Sequence, residues 1–211
     1  YLSQNNYIED GPRSAYGAMI SGIDAGVGQI TTALREEGIL ENTLVVFLSD
    51  NGGHHIGSSS GPFRGWKGMI FEGGIRVPFC LSWPARIKSG LRYEEAITAL
   101  DIFPTFLDAA GISAESMELD GVSLLPYLSG EKAGKPHEEL YWRYSDGAGY
   151  AVRKGDYKLV NQYLKPLSLF NLAEDPYEQV NLAEQEPARV EEMQKRYETW
   201  NRKNITPLWE D

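Results

Sequence analysis

Asp50 and Asn51 stand side by side in the stretch Leu48-Ser49-Asp50-Asn51-Gly52-Gly53. Two adjacent oxygen side chains suit a hard cation, Ca²⁺ or Mg²⁺. Ca²⁺ takes about six to eight oxygens, so two residues make part of a site at most. The same Asp-Asn-Gly also reads as an Asx-type turn. His54 and His55 follow directly. Either suits a general acid or an anion donor, and in a Gly/Ser loop either is equally a solvent-exposed residue. The next stretch, Gly61-Pro62-Phe63-Arg64-Gly65-Trp66-Lys67-Gly68, is basic. From Gly61 to Arg76 the cations Arg64, Lys67 and Arg76 stand against Glu72, a local balance of +2 in a chain of net charge −10. A lysine in a glycine-rich loop can bring its ammonium close to an anion as a compact point charge. The plainer reading is a solvated basic loop, with Glu72 and Arg76 forming a structural ion pair. His137 lies in the acidic stretch Pro136-His137-Glu138-Glu139 and reads as a surface residue. The sequence contains no Gly-x-Ser-x-Gly elbow, no His-Glu-x-x-His and no Walker loop.

The elements around these residues follow α/β grammar. Ala15, Met19, Ile23, Val27, Ile30 and Leu34 recur at helical spacing and predict a helix over Ser14–Glu37, with Ser14 as its cap and Gly38 as its stop. Four glycines lie inside it (Gly17, Gly22, Gly26, Gly28), which suggests close packing against a sheet. Thr43–Leu48 is a continuous apolar run, as in a strand buried on both faces of a parallel sheet. Asp50 and Asn51 therefore sit past the carboxyl end of a strand, where open α/β sheets place their ligands. Residues 54–74 form a loop too long to be structureless without a function. Val77–Trp83 reads as a second strand. Asp101–Ala110 reads as a helix, with Asp101 as its cap and Gly111 as its stop. Beyond Gly111–Lys135 the pattern becomes short strands at Glu139–Tyr144, Tyr150–Lys154, Tyr157–Gln162 and Leu167–Asn171, with turn signals at Asp146-Gly147 and Gly155-Asp156. Pro187–Lys203 reads as a closing helix. The fold class expected is α/β, a partial parallel-sheet domain over 1–112, followed by a small antiparallel α+β subdomain over 113–211.

Composition narrows the function. With 42% hydrophobic and 24% charged residues, the chain has the balance of a globular protein. A sequence pI near 4.9 argues against a sequence-independent nucleic-acid binder. No apolar run approaches the roughly 18 residues of a membrane helix. The one cysteine, Cys80, excludes an internal disulfide framework and any Cys-based zinc site, and belongs to a strand. The start Tyr1-Leu2-Ser3-Gln4 has neither an initiator Met nor a secretory signal, so a longer parent chain is expected.

Taken in order, these stretches resemble the sulfatase family of the alkaline-phosphatase-like superfamily. Ser49-Asp50-Asn51-Gly52 is similar to its metal-binding block. Arg64-Gly65-Trp66-Lys67-Gly68 with Glu72-Gly73-Gly74-Ile75-Arg76-Val77-Pro78 is similar to its sulfate-lysine block. Asp101-Ile102-Phe103-Pro104-Thr105, Asp120-Gly121-Val122-Ser123-Leu124, Val152–Leu159 and Leu169–Pro176 also fit. The resemblance implies a Ca²⁺-dependent sulfuric ester hydrolase whose formylglycine is made from a Cys-x-Pro-Ser-Arg motif. Asp50 and Asn51 would then be metal ligands and Lys67 a sulfate-binding residue, with His54, His55 and Arg64 as pocket residues of undefined role. The substrate would be a sulfate ester of a carbohydrate or an aryl alcohol.

This sequence holds no Cys-x-Pro-Ser-Arg, and Cys80 is followed by Leu81-Ser82-Trp83. No nucleophile is therefore expected in this chain, and the remaining ligands of Ca²⁺ (Mg²⁺ being the alternative) are expected from an upstream part. The chain is expected to be inactive alone and to self-associate through an uncovered sheet edge. Two further readings stay open: a phosphoester or phosphonate hydrolase of the same superfamily, and a non-catalytic binding domain derived from it.

Overall fold

A computed structural model describes residues 11–144, 149–163 and 166–206. The chain start and the Asp146-Gly147 turn signal lie outside the described residues. The elements run α1 (Gly11–Glu36), β1 (Val45–Leu48), α2 (Glu72–Ile75), β2 (Phe79–Ser82), α3 (Ile102–Ala109), α4 (Leu125–Leu128), β3 (Glu139–Tyr144), β4 (Gly149–Lys154), β5 (Tyr157–Asn161), β6 (Ser168–Asn171) and α5 (Pro187–Asn201). None of the described helices is long and apolar enough to cross a membrane.

Two compact units emerge, and they interleave along the chain. One gathers Ser14–Asp50 and Pro78–His137; the other gathers Asn51–Val77 and Glu138–Asp211. The segment after Asp50 packs with the C-terminal sheet.

In the first unit, α1 starts at Gly11, so Ser14 is an interior residue and not the cap. Gly38, at φ +71°, follows the helix end as expected. Among its described residues only Ala18 is buried. A Cβ on Gly26 or Gly28 would meet open space, so no element packs against these glycines. The apolar positions Met19, Ile23, Val27 and Ile30 are exposed. Strand β1 differs from its expected neighbours. It pairs antiparallel with β2, in the register Val45↔Ser82 to Leu48↔Phe79, and Phe47 is exposed. The chain leaves along β1, makes the whole Asn51–Val77 excursion, and returns along β2, so the pair is a hairpin with a very long connection. Cys80 is exposed on β2.

Asp101 does not cap α3 through its side chain. Its fully buried carboxylate instead accepts the amides of Thr98 and Val122, both at 2.9 Å. His137 Nε2 lies 2.8 and 2.9 Å from its two oxygens. His137 is thus an inward-facing residue, not the surface residue its acidic neighbours suggest. The buried Thr105 hydroxyl donates to Asp101 O and accepts Leu124 N, tying α3 to the Asp120–Leu124 block.

In the second unit, period-2 alternation makes a four-stranded antiparallel sheet in the order β3-β4-β5-β6. One face carries Ala151, Val160 and Phe170 against Ile70 and Phe71. The other carries Tyr150, Val152, Leu159 and Leu169 against Met193 and Tyr197 of α5. Tyr197 stacks on Tyr150 with ring centroids 3.8 Å apart. The sheet is therefore covered on both faces, by the Met69–Ile75 segment and by α5.

Candidate functional site

The second unit fixes the basic loop by charge as well as by apolar packing. Lys158 shares its sheet face with Val160, which brings its fully buried ammonium toward α2. Nζ lies 2.7 Å from Glu72 Oε1 and 2.9 Å from Glu178 Oε1. Glu178 Oε2 accepts the backbone N–H of Glu72 at 2.7 Å. Burial pushes the Glu178 carboxyl above the usual carboxylate range, with Lys158 working in the opposite direction. The sequence reading paired Glu72 with Arg76. That contact exists at 3.7 Å, but the buried partner is Lys158. Arg64 also turns to structural work. Its guanidinium lies 4.2 Å from the Phe71 ring centre and donates to Glu178 O at 3.0 Å. Arg76 lies over Phe63. Lys67 is exposed, and among the described residues it makes no ion pair or side-chain hydrogen bond. The local +2 of the sequence thus resolves into one uncommitted ammonium.

Backbone contacts set where Lys67 sits. Its N–H donates to Gly53 O at 3.0 Å, and Gly52 N–H donates to Gly74 O at 2.8 Å. The approach is close: a Cβ on Gly52 would stand 1.9 Å from Gly73 O, and one on Gly74 would stand 1.9 Å from Met69 O. Only glycine fits there. The turn after Asn51 and the lysine loop are therefore one backbone-bonded assembly. Asn51 is half-buried and Asp50 is exposed, just past the end of β1, where Ser49 N–H bonds Pro78 O. Both offer oxygens of the kind Ca²⁺ takes. Among the described residues no group of three or more His, Cys, Asp or Glu is placed to hold a metal ion. The donor chemistry fits a hard cation, and the donor number fits part of one site. The one cysteine, Cys80 on β2, does not lie in a Cys-x-Pro-Ser-Arg motif.

His54 and His55 are exposed, with ring centroids 4.3 Å apart. His54 Nδ1 accepts the Ile56 N–H, which occupies one ring nitrogen with local turn geometry. His55 lies 5.6 Å from the Trp66 ring, beside Lys67. On the other side of Lys67, Gly68 O accepts the Tyr163 hydroxyl at 2.9 Å. Tyr144 meets Tyr163 edge-on at 5.8 Å. The sequence reading singled out neither these aromatics nor Lys158. For Lys158 a signal was available: a lysine inside the doubly apolar Tyr157–Val160 run, and a glutamate inside Phe71–Ile75.

Comparison with known proteins places this geometry. A family model described as Sulfatase matches residues 2–112, and one described as N-sulphoglucosamine sulphohydrolase, C-terminal, matches residues 63–203. Human arylsulfatase A is 38% identical over 166 residues, covering 74% of this chain and 32% of the relative. Choline-sulfatase of Rhizobium meliloti (strain 1021) is 38% identical over 180 residues, covering 82% and 33%. The chain spans about a quarter to a third of the length of the curated relatives it matches. The crystal structure of Ps i-CgsB, also solved with k-i-k-neocarrahexaose, aligns over 99% of this chain and 47% of its own, with a TM-score of 0.91 and 31% identity. That of the phosphonate monoester hydrolase of Agrobacterium radiobacter aligns over 92% and 42%, with a TM-score of 0.71 and 25% identity. The Asp-Asn-Gly-Gly turn, the lysine loop and the C-terminal sheet all fall within these matches, and the chain belongs to the sulfatase family of the alkaline-phosphatase-like superfamily.

Proposed function

We propose that this chain supplies the sulfate-binding part of a sulfuric ester hydrolase site, with Lys67 holding the ester's sulfate oxygens. The observation that carries the reading is the pair of backbone bonds Lys67 N–H to Gly53 O and Gly52 N–H to Gly74 O, at 3.0 and 2.8 Å. They hold one uncommitted ammonium against the turn that Asn51 opens. A fixed ammonium stabilises charge on sulfuryl oxygens without reorganising during the reaction. Lys67 also offsets, locally, a net charge of −10 that opposes an approaching anion. Asp50 and Asn51 would contribute to holding Ca²⁺, which when bound supplies Lewis-acid charge stabilisation at the sulfate. The chain supplies no formylglycine, so on this reading it does not turn over a sulfate ester alone.

The test uses the purified chain with 4-nitrophenyl sulfate and Ca²⁺, alongside calorimetry with inorganic sulfate. No turnover is expected, together with sulfate binding that weakens at least tenfold in Lys67→Ala. Robust turnover would overturn the incompleteness, and unchanged binding would overturn the role of Lys67.

The likeness to the phosphonate monoester hydrolase favours a second reading, a phosphoester or phosphonate substrate for the same site. Tighter binding of methylphosphonate than of sulfate would select it.

A further inference from the structure

The loop that carries Lys67 is flanked by two exposed aromatic pairs, and nothing in the reading above uses them. On the N-terminal side, Trp66 is 41% exposed and lies against His55, ring to ring at 5.6 Å. On the C-terminal side, Tyr144 and Tyr163 are 42% and 46% exposed and meet edge-on at 5.8 Å. Tyr163 is held there. Its backbone is in the left-handed region at φ +52°, unusual for a residue with a side chain, and its hydroxyl donates to Gly68 O at 2.9 Å. The Tyr144 hydroxyl stands 3.7 Å from where a Cβ on Gly68 would be, within van der Waals reach of that position. Each pair thus touches the residue next to Lys67, one on either side.

Large rings grouped in the open beside a cation suit a binding surface. Rigid aromatic rings give wide contact area with few torsions to freeze. Their faces suit the C–H-lined faces of pyranose rings, and the lysine between them suits a sulfate carried by such a ring. We infer that Trp66 with His55, and Tyr144 with Tyr163, form an aromatic platform on both sides of Lys67 that seats the sugar rings of a sulfated oligosaccharide. The inference rests on Lys67 being the sulfate-binding residue. The seating of k-i-k-neocarrahexaose by Ps i-CgsB supplies the probe.

Calorimetry with the full chain tests it, using that hexaose, its desulfated form and inorganic sulfate. Trp66→Ala and Tyr144→Ala are each expected to weaken hexaose binding at least tenfold and to leave sulfate binding within twofold. Tyr144→Phe, which keeps the ring, is expected to bind as the unmodified chain does. Lys67→Ala is expected to weaken both sulfated probes. Hexaose binding within twofold in both alanine variants would overturn the platform. So would a loss of sulfate binding equal to the loss of hexaose binding. A chain that binds sulfate but no hexaose would overturn the platform and leave the Lys67 reading in place. Unchanged sulfate binding in Lys67→Ala would overturn the Lys67 reading and the inference that rests on it. Binding of neither probe would overturn both.

Discussion

Replacing Lys158 by Met keeps the length of the side chain and removes the charge that two buried carboxylates share. Glu72 and Glu178 are 3% and 0% exposed, so water cannot take over from the ammonium 2.7 and 2.9 Å away. The cheapest escape is a proton on Glu178. A glutamate with a reference pKa of about 4.3 pays about 1.4 kcal/mol per pH unit to stay protonated, so at pH 7 this costs about 4 kcal/mol. That agrees with the roughly 3–5 kcal/mol expected on removing one partner of a buried pair. At pH 5 the same cost falls to about 1 kcal/mol. The sign follows from linkage. In the variant the folded carboxyl titrates above its unfolded value, the folded state binds more protons, and stability falls as pH rises from about 4.3 through the folded value. Urea unfolding at pH 5 and pH 7, with hydrogen exchange of the β4 and β5 amides to report on this unit, measures both quantities. A loss under about 1 kcal/mol at pH 7, or a loss that does not shrink at pH 5, would refute the reasoning.

Other substitutions separate the same forces. Glu178→Gln keeps an acceptor for the Glu72 amide and leaves a one-to-one Lys158–Glu72 pair, so stability at pH 7 should move by no more than about 1 kcal/mol. In the unmodified chain the raised Glu178 carboxyl makes stability fall as pH rises through its folded value; urea titrations across pH 4–7 should show that slope, and Glu178→Gln should remove it. Asp101→Ala strands the amides of Thr98 and Val122 and the ring of His137, and should cost the first unit about 3 kcal/mol or more by urea denaturation. Gly52→Ala puts a Cβ 1.9 Å from Gly73 O and should weaken sulfate binding by calorimetry, with a stability loss of about 1–3 kcal/mol. Lys67→Ala, at an exposed position, should weaken sulfate binding while unfolding stays within about 0.5 kcal/mol of the unmodified chain.

Local patterns in the sequence were enough for the four-stranded sheet and α5. Strand alternation and the Gly155-Asp156 turn are near-neighbour signals, and β3 to β6 lie within a residue or two of the expected spans. The turn at Asp50–Asn51 and the basic loop were likewise visible as motifs. What stayed hidden depends on partners far apart in the chain. Arg64 reads as a free cation until Glu178, 114 positions away, offers its carbonyl. Lys158 stands unremarked in an apolar run until Glu72, 86 positions away, meets it. His137 reads as surface because its acidic neighbours in sequence are not its neighbour in space, Asp101. The antiparallel pairing of β1 with β2 was missed because the long connection between them, residues 49–78, gives no hairpin signal.

The buried lysine also dictates an order of events during synthesis. A chain emerges from the ribosome N-terminus first, at about 5–20 residues per second. Lys67 and its glycine neighbours are made early and hold one another by local backbone bonds, yet the buried charges that fix α2 beside them come from Lys158 and Glu178, 86 and 106 positions beyond Glu72. Until that distal stretch is out, the loop has its local backbone bonds but not the buried pair beneath it, and Glu72 is a solvated carboxylate. A product ending before Glu178 would therefore carry the whole lysine motif and lack the acceptors that Glu178 gives the Glu72 amide and Arg64.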